Sequence, residues 1–431
     1  MKLIRFLLFQ FLLLCFTFNI YGQENLSLSD AITRSLENNY DVKIIRQNEI
    51  IAQTQNTWGA AGRYPTISLG LATNNRSDFN EEANAMTNTI TPGVVLNWVL
   101  FDGYGIRINK EKLESYAELS SGNTAVLVEQ TIQSIILAYY TVLLEKETLL
   151  VRKEVMDLSN DRYNYMLSKK DIGNAVTYDV LQAKNAWLED KANYLLQEVI
   201  HTNAVRDLNY LMGETEDITY SFTDKFAIKD SDYLYEQLKD KMLSNNKTLR
   251  NQYINEVLAQ KEIENAKSLY YPSLTLRSGV EAYTTRTKLE NMNASTRNTQ
   301  DVYANLSLSF NLFDGGSRKR ALQIAKIQEE TIQIDTDAMK HSLTNQLAQL
   351  FDIYRVRKNL YTVAVENMEA ARLNMQISED KFRAGTINSF NYRDVQLIYL
   401  NSSINRLQAI YDLIDADTAL MRITGGIVTE N

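Results

Sequence analysis

Ala304-Asn-Leu-Ser-Leu-Ser-Phe-Asn-Leu-Phe-Asp-Gly-Gly316 is the stretch on which the fold turns. Ala304, Leu306, Leu308, Phe310 and Leu312 alternate with Asn305, Ser307, Ser309 and Asn311. A period of two places one set on each face of a β-strand. One face is wholly apolar, and the other is small, polar and uncharged. The pattern returns three times. Ile67, Leu69 and Leu71 oppose Thr66, Ser68 and Gly70, while Leu96, Trp98 and Leu100 oppose Val95, Asn97 and Val99. Leu274, Leu276, Ser278 and Val280 oppose Thr275, Arg277, Gly279 and Glu281. Segments of about ten residues with this alternation match transmembrane barrel strands. The alternative is a half-buried sheet on a soluble core, which needs helices over the apolar face.

The end of the opening stretch leads to the organisation of the chain. Leu312-Phe-Asp-Gly315 repeats Leu100-Phe-Asp-Gly103, 212 residues earlier, and Gly385 and Gly425 repeat Gly173 and Gly213 at the same offset. Upstream, Leu243-Ser-Asn-Asn246 repeats Leu36-Glu-Asn-Asn39, and Tyr271-Pro272 repeats Tyr64-Pro65, both 207 residues apart. Ordered anchors with one change of offset describe a duplicated unit whose second copy has a longer loop between its strands. Each half reads as helix, two strands, long helix, glycine break and return helix. The opening helices are expected from about Ser29 to Ala60 and from Ser231 to Ser268, each ending before Tyr-Pro.

The 431 residues contain only 3 prolines and 16 glycines. Pro65 and Pro272 are read as opening strands and Pro92 as preceding one, positions where proline costs no ladder donor. The rest of the chain can hold long helices. From 103 to 171, and again from 315 to 383, the run is of the order of 100 Å at about 1.5 Å per residue. The second run carries a seam in alternating steps of four and three: Leu343, Leu347, Leu350, Tyr354, Arg357, Tyr361, Ala364, Met368, Ala371, Met375, Ser378 and Phe382. A heptad period means left-handed coiled coils. The first run has a weaker version in Ile135, Ala138, Val142, Leu149, Met156, Tyr163 and Met166. Each long helix breaks at a glycine and returns, through Leu181, Leu188 and Leu195 or through Leu397 and Leu407, making hairpins with tips at Gly173 and Gly385.

Composition narrows the function classes. A net charge of −8 argues against a nucleic-acid surface. The two histidines, His201 and His341, stand far apart with no ligand-like spacing, so neither a metal site nor a cofactor is expected. No nucleophile elbow or phosphate-binding glycine loop is present, and no enzyme activity is expected. Lys2, Arg5 and the apolar run Phe6 to Ile20 read as a secretory signal over 1–22, with a mature start near Gln23. A retained anchor is the alternative, but the run is short for one. Cys15, the single cysteine, lies inside that run, leaving a mature chain without disulfides. No later stretch reads as long and apolar enough to span a bilayer as a helix.

Four strands cannot close a barrel, and an open edge in lipid leaves backbone groups unpaired. Several copies must share one barrel. Two copies give eight strands and three give twelve.

The duplicated halves, Tyr-Pro before a strand, Leu312-Phe-Asp-Gly-Gly316 and the tip runs Asp171-Ile-Gly-Asn-Ala-Val-Thr-Tyr-Asp179 and Arg383-Ala-Gly-Thr-Ile-Asn-Ser-Phe-Asn-Tyr-Arg-Asp394 resemble the TolC-like outer-membrane efflux proteins. The resemblance covers about 27–425. It implies a mostly α fold with a small β part: antiparallel coiled-coil hairpins plus four transmembrane strands per protomer. It further implies a homotrimer, with a twelve-stranded barrel in the outer membrane and an α-helical tunnel in the periplasm. The tunnel would dock on a periplasmic adaptor and, indirectly, an inner-membrane pump. Gly173, Thr177 and Asp179, with Gly385 and Ser389, match the family's adaptor-docking turns. Asn391 and Asp394 fall at its aperture acids, Phe382 at its aperture tyrosine and Ile387 at its aperture arginine. The aperture set is thus Asp179, Phe382, Asn391 and Asp394. The departures at 382, 387 and 391 imply a different or weaker gate. Asp394, repeated around a pore, would form an acidic ring able to hold cations.

The expected layout is a signal at 1–22, a first repeat at 23–213, an acidic connecting segment at 214–230 that wraps the middle without chemistry, a second repeat at 231–425 and a tail at 426–431. Strand pairs are expected near 65–101 and 272–313, and return helices at 174–212 and 388–424. The expected function is passive export through an outer-membrane duct. A periplasmic scaffold that never enters a membrane is the alternative.

Overall fold

The structure is a computed structural model that describes residues 24–79, 84–215, 218–228, 231–290 and 292–427. The signal and Cys15 lie outside the described residues, as does the tail beyond 427. In chain order the elements are β1 (Glu24–Leu26), α1 (Leu28–Asn38), α2 (Tyr40–Gln55), β2 (Thr66–Phe79), β3 (Asn84–Phe101), α3 (Gly105–Asp171) and α4 (Thr177–Met212). The second half supplies β4 (Tyr220–Phe222), α5 (Tyr235–Asn245), α6 (Lys247–Ser268), β5 (Ser273–Leu289), β6 (Ser295–Ser309), α7 (Ser317–Arg383) and α8 (Ser389–Ile423). The chain divides into two compact units.

The sheet unit comprises Ile44–Val126 and Lys247–Ser342. Its four strands form one antiparallel sheet in the order β2-β3-β5-β6, leaving β2 and β6 as edges. Register places Ile67, Leu96, Ser278 and Ala304 in one row and Leu69, Val94, Val280 and Val302 in the next. The apolar face is bare: Leu69 is 83% exposed, Val302 79% and Leu308 72%. Among the described residues no helix covers it, so the cover that a half-buried sheet needs is missing from this face.

Rows that are apolar apart from Ser278 and Gln300 run from Leu274 to Ala282 along β5, roughly 26 Å at about 3.3 Å per residue, close to the height of a barrel's lipid-facing band. Beyond them the same face turns polar, with Asn75, Asn88, Arg286 and Thr296 in one row. The strands are therefore longer than the alternation alone indicates. β6 begins nine residues before Ala304 and ends at Ser309 rather than Leu312.

Pro92 lies within β3 instead of preceding a strand. It pairs with Leu71 on one side, while the β3–β5 pairing skips from Ile90 to Gly93 without a change of register, where proline offers no donor. At the turn into α3, Gly103 (φ 71°) and Tyr104 (φ 74°) are both left-handed, as are Gly315 and Gly316 in the second half. A Cβ on Gly103 would lie 2.3 Å from the Ser268 carbonyl. Tyr104 keeps its conformation between Phe101 and Tyr271, whose rings it meets edge-on at 5.4 and 5.8 Å.

The helical unit comprises Met1–Lys43, Leu127–Asn246 and Leu343–Asn431. The two halves build matching cores. Ile135, Tyr139, Leu208 and Met212 pack under α1, and Leu347, Tyr354, Leu413 and Leu420 pack under α5. Ile132, Ile136, Ile410 and Ile414 form a further core. Every residue of the α7 seam is buried or half-buried, while its neighbours Arg355, Val363 and Arg372 are exposed.

Three expectations are corrected here. Each opening helix is two helices, broken at Asn39 and Asn246, both extended (φ −56°, ψ 132° and φ −58°, ψ 120°). Asparagine breaks the helix because its side chain takes over backbone partners. Asn39 Oδ1 accepts from the amides of Asp41 and Val42, restarting the chain as α2.

The connecting segment is not featureless. β4 pairs in parallel with β1, Glu214 bridges Arg34 at 3.1 Å, and Asp224 accepts from the Tyr139 hydroxyl at 2.7 Å and the Leu28 amide at 2.8 Å. Burial, with Asp224 beside it, raises the Tyr139 phenol above the ordinary tyrosine range.

Finally, α3 does contain a stretch long and apolar enough, by length and composition, to cross a membrane. Ile132, Ile135, Tyr139 and Val142 of that helix are spent on the cores just described. The apolarity is that of a packed helix.

Candidate functional site: hairpin tips and unpartnered seams

Both tips are built the same way. α3 ends in a basic turn with Lys169 and Lys170, and α7 in one with Lys381 and Arg383, suiting the negative end of the helix dipole. Gly173 and Gly385 follow in left-handed conformation, φ 77° and 74°. The amide of Asn174 donates to Lys169 O at 2.7 Å and that of Thr386 to Lys381 O at 2.9 Å. This is the glycine-terminated cap anticipated at the break.

Thr177 opens α4 after Val176, which caps without a side-chain bond, and Ser389 opens α8 after Asn388, which accepts from the Asn391 amide at 2.8 Å. Gly173, Thr177 and Gly385 are exposed, and Ser389 is half-exposed. Of the aperture set, Asn391 and Asp394 are exposed and Asp179 is half-exposed in the first turn of α4. Phe382 is separated from them by burial. It is 5% exposed and stacks on Tyr392 (centroids 4.6 Å, planes 13° apart), with Tyr165 edge-on at 5.0 Å.

Sequence reading missed the charged pair behind the tip. Arg393 donates to both carboxylate oxygens of Asp190, at 2.6 and 2.8 Å, tying α8 to α4. Asp190 is buried and Arg393 nearly so. A bidentate guanidinium–carboxylate pair is the strong form of an ion pair, and burial spares it screening. Arg162 of α3 donates to the Ser389 carbonyl at 3.1 Å. Burial first, then the like charge of Arg393, lowers its guanidinium to about 10. The signal was present in the pattern: Asp190 falls on the α4 heptad positions Val180, Ala183, Ala204 and Leu208, where a charge needs a partner.

The leucines read as the return seam of α4 do not pack within the protomer. Leu181 is 53% exposed, Leu188 46% and Leu195 51%. With Tyr178 and Val199 they make a second heptad stripe, offset from the buried one. α7 has its own in Ile353, Val356, Leu360, Val363 and Ile377, all exposed. Leu397 of α8 is likewise exposed, whereas Leu407 is buried as expected. Long bare apolar stripes of 3.5-residue period have the pattern of coiled-coil faces.

The arrangement thus offers exposed hairpin tips, bare apolar helix stripes and a bare apolar band on the sheet. Among the described residues no group of three or more histidine, cysteine or acidic side chains is arranged to hold a metal.

Comparison with known proteins agrees in extent and kind. The toluene efflux pump outer membrane protein TtgC of Pseudomonas putida is 23% identical over 406 residues, which is 92% of this chain and 79% of that protein. Among solved structures, the outer-membrane channel OprN superposes with a TM-score of 0.74 at 18% identity, covering 93% of this chain and 90% of that one. CusC superposes at 0.76 and 14% identity, covering 95% and 96%. The family described as outer membrane efflux protein matches over residues 31–214 and 238–426, one match in each repeat. A bare-faced strand quartet, two glycine-tipped hairpins and matches spanning both repeats lead to one assignment: the chain is a member of the outer membrane efflux protein family.

Proposed function

We propose that the protein is the outer-membrane exit duct of a tripartite efflux or type I secretion assembly. In this reading three protomers join edge β6 of one sheet to edge β2 of the next, closing a twelve-stranded barrel with the apolar band in lipid. The exposed stripes of α4 and α7 pack between protomers. Two different stripes on one chain make a head-to-tail contact that closes as a ring, as a cyclic trimer requires. The observation that carries the reading is the coincidence of a bare apolar band with two bare heptad stripes.

The tips, with Gly173, Thr177, Gly385 and Ser389, receive a periplasmic adaptor, and the inner-membrane pump acts through it. Asp179, Asn391 and Asp394 face the aperture, and Phe382 holds the tip together from behind. The Arg393–Asp190 tie takes the place of the arginine and tyrosine contacts that the resemblance leads one to expect. Conduction is passive, with energy supplied by partners.

The test is envelope fractionation of the full chain followed by mass measurement in detergent. A detergent-requiring outer-membrane particle of three protomers is expected. A periplasmic particle soluble without detergent would replace the duct with a scaffold.

A further inference from the structure

A pocket of about 410 Å³ opens where α3, α7 and α8 meet, lined by Arg162, Tyr165, Phe382, Tyr392 and the acids Asp161 and Glu379. Its size lies within the range of small-molecule sites. Three aromatic rings form the apolar wall. The polar part is unusual. Arg162 is 4% exposed, its Nη1 donates to the Ser389 carbonyl, and its Nε has no hydrogen-bond partner among the described residues.

A guanidinium has five N–H donors and stays charged at ordinary pH. Nearby, Arg393 already uses both oxygens of Asp190. Two buried guanidiniums therefore share one buried carboxylate, an excess of one positive charge. Burying an uncompensated charge is costly, and one further negative group would balance this one.

We propose that this pocket binds a small aromatic monocarboxylate, its carboxylate received by Arg162 and its ring laid against Tyr165, Phe382 and Tyr392. A single carboxylate matches the one unpartnered guanidinium edge of Arg162, which favours a monoanion. The rim agrees: Glu379 is committed to Arg383 at 2.6 Å, and exposed Asp161 repels a second negative charge. Arg162 supplies a planar fork matched to a carboxylate. The site lies within one protomer and does not depend on the export reading.

Calorimetric titration of the detergent-extracted full chain with benzoate, benzamide and inorganic phosphate tests this. Saturable benzoate binding is expected at one per protomer, with benzamide and phosphate weaker by at least about tenfold for want of a charge-assisted pair or of a fitting charge. Arg162→Gln is expected to lose benzoate binding without lowering the melting temperature of the unliganded protein, because it removes an uncompensated charge. Tyr165→Leu, at the wall, is expected to weaken benzoate and leave Arg162 in place. Equal binding of benzoate and benzamide, or no saturable benzoate binding, would overturn the proposal. So would loss of adaptor capture by Arg162→Gln in a protein that ignores benzoate, since the carboxylate would then be a partner's side chain.

Discussion

Asn39 donates through Nδ2 to the carbonyl of Leu211 at 2.9 Å, and 207 residues later Asn246 donates to the carbonyl of Ile423 at the same distance. The two repeat anchors that looked unrelated in sequence, an asparagine pair early in each half and a glycine at its end, are thus one contact made twice. Gly213 and Gly425 complete it. A Cβ on either would lie 2.6 Å from the carbonyl of Asn38 or Asn245.

Asn39→Ala should therefore cost about 2 kcal/mol, from a lost helix start and a carbonyl left short of a donor. Asn246→Ala should cost a similar amount. Denaturant melts of the detergent-extracted protein check both. A negligible loss at either would mean that water replaces the side chain without penalty.

The tip tie gives a sharper test. Asp190→Asn leaves two buried guanidiniums without a carboxylate and should destabilise by about 3–5 kcal/mol. Adding Arg393→Gln should recover a large part of that loss. An additive double variant would show that the pair is not coupled.

At the strand-to-helix turn, Tyr104→Gly should be neutral or stabilising by up to about 1 kcal/mol, since left-handed backbone is strained for a bulky residue. Gly316 holds the equivalent place without strain. Gly103→Ala should be strongly destabilising, because backbone rather than a movable side chain blocks the Cβ. Melting temperatures of the two variants report the difference.

Leu188→Glu and Val363→Glu change exposed stripe positions. Each protomer should keep its helical content by circular dichroism, while the assembly falls apart in size-exclusion chromatography. Collapse of the helical signal would place these residues in the protomer's own core.

His201 is half-buried, and its Nε2 has no hydrogen-bond partner. Burial first, then Lys146, holds its imidazole below the ordinary value of 6.5. The unfolded chain therefore takes up the proton first, and stability is full above pH 6.5 and falls as pH drops toward the folded-state value. Melting temperature followed downward from pH 7.5 should decline less in His201→Gln than in the parent.

What the sequence made legible follows from which forces write themselves as periods. The α7 seam and the apolar band were readable because burial imposes a period on side chains, and tip glycines were readable because left-handed backbone selects them. The upper halves of the strands were not, since strands wet on both faces carry no alternation. The α4 leucines misled because a heptad period marks an apolar face without showing what, if anything, in the same protomer covers it. Asp190 and Arg393, 203 residues apart, were hidden because a long-range ion pair leaves no local pattern.

The sheet outlasts its apolar band, and this has a consequence for variation. In the proposed barrel, each outward residue below Ala282 answers to lipid and each inward one to water. Above it, from Thr284 to Leu289 and along the facing parts of the other strands, only strand pairing constrains the choice. Natural sequences should drift fastest in that collar, where a surface can change its appearance to antibodies or phage while the wall beneath it stays the same.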